Sequence, residues 1–170
     1  MKSMKWLIVA PFLLLGCGSN DPDAHSAHQA GTTATTSADV KTDPNAKEAT
    51  IQLYGGDDMT FSTREIRVKA GQRITLVLTH TGKMPKSTMG HNFVLLKEGV
   101  AVNDFANEAM KFQKNDFIPE DTSQIIAHTK MLGGGESDTI TFDAPAAGVY
   151  NYLCSFTGHS AIMRGKFIVE

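Results

Sequence analysis

From Glu48 onward the chain repeats one motif: short runs in which apolar and polar residues alternate. These are "TIQLYG", "EIRVKA", "RITLVLTH", "HNFVLLK", "QIIAHT", "DTITFDA", "VYNYLC" and "KFIVE". In "EIRVKA" a period of two sets Ile66 and Val68 on one face and Glu65, Arg67 and Lys69 on the other. In "RITLVLTH", Ile74, Leu76 and Leu78 share the inward face with Val77 opposite. Clusters of Gly, Asp, Pro or Ser punctuate most of the runs, and short strands at such intervals predict an all-β sandwich or barrel. One stretch follows another period. "VAVNDFANEAMKFQKND" (Val100 to Asp116) spaces Val102, Phe105, Ala109 and Phe112 by three and four. This predicts a helical segment near 101–115, inserted between strands, with Asn103 as its N-cap.

The first 47 residues obey neither pattern. Lys2 and Lys5 precede "WLIVAPFLLL", an apolar run of ten residues. A membrane span needs about 20, whereas a secretory h-region is this short. The run ends in "LLGC", which resembles the bacterial lipobox. The resemblance implies that 1–16 is a lipoprotein signal peptide, cleaved before Cys17, whose thiol takes diacylglycerol and whose new amine is acylated. Several acyl chains on one residue suffice for lasting anchorage. Gly18 is not the acidic residue that favours inner-membrane retention, so the expected location is the periplasmic side of a bacterial membrane, the outer one favoured. Residues 17–47 are rich in Ser, Thr, Ala, Asp and Pro, with Val40 as the one sizeable apolar side chain. Such composition predicts a disordered tether, reaching roughly 30 Å as a flexible coil. His25 and His28 are read as spacer residues. The folded domain is expected over 48–170.

Charge narrows the function. The formal net charge is −2, and removing Lys2 and Lys5 with the leader leaves 14 basic against 18 acidic side chains, or −4. No basic cluster offers a field for nucleic acid. Only two cysteines are present. With Cys17 assigned to lipid, Cys154 stands without a disulfide partner in an oxidising compartment.

Cys154 does have company. "CSFTGHSAIM" spaces Cys154, His159 and Met163 as C-x4-H-x3-M, and "MGHN" sets His91 at the start of a strand. Each residue alone has a plain structural reading: a buried thiol as a small hydrophobe, a methionine as core filler, a histidine as a turn cap. Together they are the soft and borderline donors that suit copper in both oxidation states. Two imidazoles and a thiolate with a long, weak axial thioether make the blue-copper electron-transfer arrangement. A loop between two strands supplies three donors, and the fourth comes from elsewhere in the fold.

The stretches "MGHNFVL", "IAHTKMLGGGESDTITFDA" and "YLCSFTGHSAIMRGKFIV" resemble the azurins, a family of bacterial cupredoxins, and the likeness spans nearly all of 50–170. It implies a Greek-key β-sandwich with an inserted helical flap, one copper ion, and one-electron transfer between periplasmic redox proteins rather than enzymatic catalysis. Redox partners of that kind include c-type cytochromes and copper reductases, met as a monomer in weak, transient complexes. His91, Cys154 and His159 are the implied equatorial ligands, with Met163 axial and the carbonyl of Gly90 more distant. The backbone N–H groups of Asn92 and Phe156 are implied donors to the sulfur, the Asn92 side chain tying its strand to the ligand loop. An apolar docking patch of Met59, Met84, Pro85, Met89, Phe156, Gly158 and Ala161 would surround an exposed edge of His159. His80 and His128 match family histidines that bind no metal and are expected to be structural.

The chain also departs from the family. "KAGQRI" lacks a cysteine of the disulfide that often links the first strands, whose usual contribution is roughly 2–4 kcal/mol. Phe93 stands where a buried Trp is common, and Thr157 where a Pro often precedes the loop glycine. Two other functions remain open on sequence. A copper storage or delivery module would use the same donors but needs an exchangeable site. A Cys–His hydrolase would need an orienting group and an oxyanion site, and neither is evident.

Overall fold

A computed structural model describes residues 39–170. The expected signal peptide, Cys17, Trp6, His25, His28 and the expected tether as far as residue 38 lie outside the described residues. Among the described residues, nine strands form two sheets. The larger has the order β1 (Val40–Lys41), β3 (Glu65–Val68), β9 (Arg164–Val169), β8 (Gly148–Leu153), β5 (Val94–Leu96), β6 (Ile125–His128). The smaller consists of β2 (Glu48–Gly55), β4 (Arg73–His80) and β7 (Ser137–Asp143). Neighbours in space are rarely neighbours in sequence: β3 runs parallel to β9, and β2 parallel to β4.

The alternation read from sequence decides which faces meet. Ile51 and Leu53 of β2 and Ile74, Leu76 and Leu78 of β4 are fully buried. They pack against Ile66, Phe93, Leu95, Tyr152 and Phe167 from the other sheet. Phe93 fills its position with no exposure and lies 5.3 Å from the Tyr152 ring. A Cβ at Gly165 would sit 2.3 Å from the Tyr152 ring carbon beneath it, so only glycine lets that ring lie across β9. The expected all-β sandwich is therefore the observed architecture.

Three local expectations are corrected. A strand is already present at Val40–Lys41, eight residues before the expected boundary at Glu48. Val40 and Lys41 pair in parallel with Ile66 and Arg67, and Val40 packs against the core. The segment is held by a buried polar group that composition cannot reveal. The Gln72 amide donates to the carbonyls of Asp43 (2.8 Å) and Ala46 (2.7 Å), while its Oε1 accepts from Thr42 Oγ1 (3.1 Å) and Lys69 N (2.8 Å). Gln72 lies in "KAGQRI", so side-chain hydrogen bonds fasten the edge where the family often has a disulfide.

After the single turn α1 (Lys86–Met89), the inserted helix is present as α2 (Val102–Ala109), continued by 3-10 turns over Met110–Asn115. Its cap is Ala101, which makes no side-chain capping bond, and Asn103 lies inside the first turn, accepting from Arg164 Nη1 at 3.5 Å. Burial rather than capping fixes this helix: Phe105 and Ala109 pack on Val94, Leu96, Ile118 and Leu153. Phe112, the last position of the apolar stripe, sits at a kink (φ −109°, ψ 37°). The single turn α1 follows Pro85 and had no periodic signal.

Candidate metal centre

The centre is built where β5 begins and β8 ends. Val94 pairs with Leu153, bringing the two strand ends side by side. Beyond Leu153 the chain turns out and back, and Cys154 N–H donates to the Met163 carbonyl at 2.9 Å to close the loop. Within it, Gly158 takes the left-handed conformation (φ +82°) that glycine adopts without strain. A 3-10 turn at His159–Ala161 follows, with Met163 N–H donating to the His159 carbonyl at 2.7 Å. This turn directs the His159 ring back toward the sulfur. His91 comes from the other side, its backbone exchanging two hydrogen bonds with Leu132 (3.0 and 2.8 Å).

One donor atom from each of His91, Cys154 and His159 lies within 4.8 Å of the others, and all three residues are buried. Cys154 Sγ is 3.7 Å from His159 Nδ1 and 3.7 Å from the Gly90 carbonyl oxygen. His91 Nε2 bonds to the Gly56 carbonyl at 2.8 Å, which makes it the protonated nitrogen and leaves Nδ1 with its lone pair free. That Nδ1 is buried and has no hydrogen-bond partner. A buried acceptor without a partner costs about 1–3 kcal/mol, a cost that a bound cation would remove. The donor set and this orphaned nitrogen fit a copper ion.

Met163 is fully buried. A Cβ built on Gly55 would come within 2.7 Å of Met163 Cε and 3.1 Å of His91 Cδ2, so the thioether end and the His91 ring both press on the Gly55 backbone. Gly90 is equally confined: a Cβ there would lie 2.6 Å from the Lys86 carbonyl and 2.9 Å from Met131 Sδ.

Burial sets the protonation states. It pushes the Cys154 thiol up to about 12, against the opposing pull of the Asn92 and Phe156 backbone N–H groups. Burial lowers His159 to about 4, helped by the fields of His91 and His80. His91 is lowered too, chiefly by burial, with the Gly56 carbonyl opposing. Near neutral pH the metal-free site therefore offers two uncharged imidazoles and a protonated thiol, and a cation must displace that proton. Asn92 braces the sulfur's neighbour. Its Oδ1 accepts from Ser155 N–H (2.8 Å), and its Nδ2 donates to Ser155 Oγ (2.8 Å) and the Asp116 carbonyl (3.4 Å).

The expected docking patch divides in exposure. Pro85, Gly158 and Ala161 are exposed, whereas Met59, Met84, Met89 and Phe156 are half-buried. His159 is only 3% exposed, with Phe156 against its ring at 4.6 Å, so no more than an edge reaches solvent. His128 is exposed at the end of β6, its Nδ1 3.1 Å from the Thr129 carbonyl. His80 is buried and stacked on His91, a contact between residues eleven apart that no spacing signal marks. Asp116 and Phe117 also reach the centre's supports without having carried any sequence signal.

A two-sheet sandwich that gathers His, Cys and His donors at one end is a blue-copper cupredoxin. Comparisons with known proteins agree. The sequence profile described as "Copper binding proteins, plastocyanin/azurin family" matches residues 47–170. Azurin-1 of Alcaligenes xylosoxydans xylosoxydans is 43% identical over 125 residues, covering 69% of this chain and 95% of that protein. The azurin of Pseudomonas aeruginosa is 39% identical over 133 residues, covering 74% and 87%. Among solved structures, dithionite-reduced auracyanin of Roseiflexus castenholzii superposes with a TM-score of 0.66 at 39% identity, over 71% of this chain and 96% of that one. Auracyanin A of Chloroflexus aurantiacus, described as a "blue" copper protein, gives 0.67 at 33% identity, over 72% and 99%. The chain belongs to the copper-binding plastocyanin/azurin family, and its cofactor is a single copper ion.

Proposed function

We propose that this protein carries single electrons between redox proteins and works as a carrier rather than an enzyme. The observation behind the reading is the buried His91–Cys154–His159 set, whose imidazoles stand uncharged and whose His91 Nδ1 has no other use. His91, Cys154 and His159 would hold the ion, with the buried Met163 thioether as a weaker donor and the Gly90 carbonyl, 3.7 Å from Cys154 Sγ, beside them. Bound copper supplies a one-electron couple there. The protein's part is to keep the donors still: the Leu132 pairing fixes His91, the Met163 carbonyl fixes Cys154, and Asn92 locks Ser155. A cage that changes little between oxidation states favours fast exchange.

Electrons pass at the His159 edge, across the patch of Met59, Met84, Pro85, Met89, Phe156, Gly158 and Ala161. Methionine-rich surfaces adapt to several partners, and weak redox encounters use small interfaces. Suitable partners are c-type cytochromes or copper reductases, met as a monomer. Cleavage before Cys17 and its lipidation would tether the domain to the periplasmic side of a bacterial membrane, the outer one by preference.

The test mixes reduced, copper-loaded protein with an oxidised c-type cytochrome, and separately with a metal-free copper acceptor. Rapid cytochrome reduction with copper retained is expected. Copper transfer without electron exchange would instead make the protein a delivery module.

A further inference from the structure

Asp116 and Phe117 stand side by side in the left-handed region, at φ +53° and +57°. Neither is glycine, and two such residues in succession persist only where surrounding contacts hold them. Those contacts lead to all three histidine and cysteine donors. The Asp116 carbonyl accepts from Asn92 Nδ2, and Asn92 in turn grips Ser155, the residue after Cys154. Asp116 Oδ2 accepts from Met131 N–H at 3.3 Å, and the next residue, Leu132, forms the backbone bridge to His91. The Phe117 ring packs on Phe156 at 5.1 Å, and Phe156 packs on His159 at 4.6 Å.

We infer that the Asp116–Phe117 turn is a positioning device that holds His91, Cys154 and His159 in mutual register before any metal arrives. The inference deepens the proposed function and rests on the same ligand set. The turn closes the helical insertion, giving that insertion a role: its burial on the sandwich presses the turn onto the ligand loops. The Lys86 ammonium, 3.2 Å from Asp116 Oδ1, adds an exposed ion pair of small worth. The backbone conformation and the two accepted N–H groups carry the effect.

The test compares Asp116→Ala, Asp116→Asn and Phe117→Leu with the unaltered full chain, first without metal and then loaded with copper. Amide hydrogen exchange in the metal-free proteins is the primary readout. Asp116→Ala deletes the Oδ2 acceptor of Met131 N–H and disfavours the left-handed backbone that aims the Asp116 carbonyl at Asn92, so exchange should speed roughly tenfold in 90–92, 131–132 and 154–156, about what one lost hydrogen bond allows. Exchange on β2 and β4 should stay within the small change expected from global stability. Asn tolerates the left-handed region and keeps an acceptor for Met131 N–H, so Asp116→Asn should restore most of the protection. Phe117→Leu should affect 156–160 alone. After loading, Asp116→Ala should shift the reduction potential while binding one copper. A uniform rise in exchange across the domain, or an unchanged potential with unchanged loop exchange, would overturn the inference. Failure of the parent chain to bind copper would sink the proposed function, yet the metal-free exchange pattern would still decide the role of the turn.

Discussion

The imidazole rings of His80 and His91 are stacked, with centroids 4.2 Å apart and planes inclined by 21°. His80 reaches this position by using both of its nitrogens. Nδ1 accepts from Gly82 N–H at 3.0 Å, so Nε2 carries the proton and donates to the Met89 carbonyl at 2.7 Å. One buried ring thus fixes the loop before the ligand strand and backs the ligand itself. His80→Ala would leave the part-buried Gly82 N–H and Met89 carbonyl unpaired and open a cavity where the buried ring stood, costing about 2–4 kcal/mol. Urea unfolding of the metal-free protein measures this, and a midpoint equal to the parent's would contradict it.

The contact between Gly55 and Met163 gives a second expectation. Gly55→Ala puts a methyl carbon 2.7 Å from Met163 Cε and 3.1 Å from His91 Cδ2, so the thioether must move while the His91 ring has to give only slightly. The three strong donors stay in place, and the blue colour should survive while the reduction potential changes. Met163→Leu should also keep its colour and raise the potential, since only a weak axial interaction is lost. A fully copper-loaded but colourless Met163→Leu protein would show that the thioether is structurally essential.

Much of this was legible in the sequence, for reasons that differ by element. Alternation marked β2, β4 and β9 because one face of each strand is buried. The His–Cys–His group was readable because Cys154 and His159 lie in one ten-residue stretch with Met163, a density that core packing alone does not produce. β1 escaped because two residues carry no period, and what orders them is the side chain of Gln72, distant in sequence. Asn103 failed as a cap because Phe105 and Ala109 fix the helix by burial, and Ala101 needs no side chain to begin it. The Asp116–Phe117 turn was invisible because sequence points to left-handed backbone chiefly through Gly and Asn, and "KNDFIP" offers neither at those two positions.

The buried histidines predict a pH dependence for the metal-free protein. His159 has a folded value near 4 against an ordinary 6.5, and His91 is lowered in the same sense. The unfolded chain therefore binds protons first as pH falls. Stability is fully present above about 6.5 and declines as pH drops toward 4. Denaturant midpoints recorded across that window should fall with pH, and His159→Phe should flatten part of the slope. A midpoint that rose on acidification would refute the assignment.

The proposed leader makes two predictions together. Trp6 is the only tryptophan, so protein matured by cleavage before Cys17 should show no indole fluorescence. Cys17→Ser should release the protein from membranes into the soluble fraction. Continued membrane association of that variant would mean that something other than a lipid holds it.

Visible and electron paramagnetic resonance spectroscopy of the purified protein supplied with cupric salt, beside a Cys154→Ser variant, tests the central claim most directly. The parent should turn intensely blue at one copper per chain, its thiol becoming unreactive, and the variant should not. A parent that stays pale, with the Cys154 thiol as reactive as before copper was added, would contradict the assignment of His91, Cys154 and His159 as the ligands of a blue copper centre.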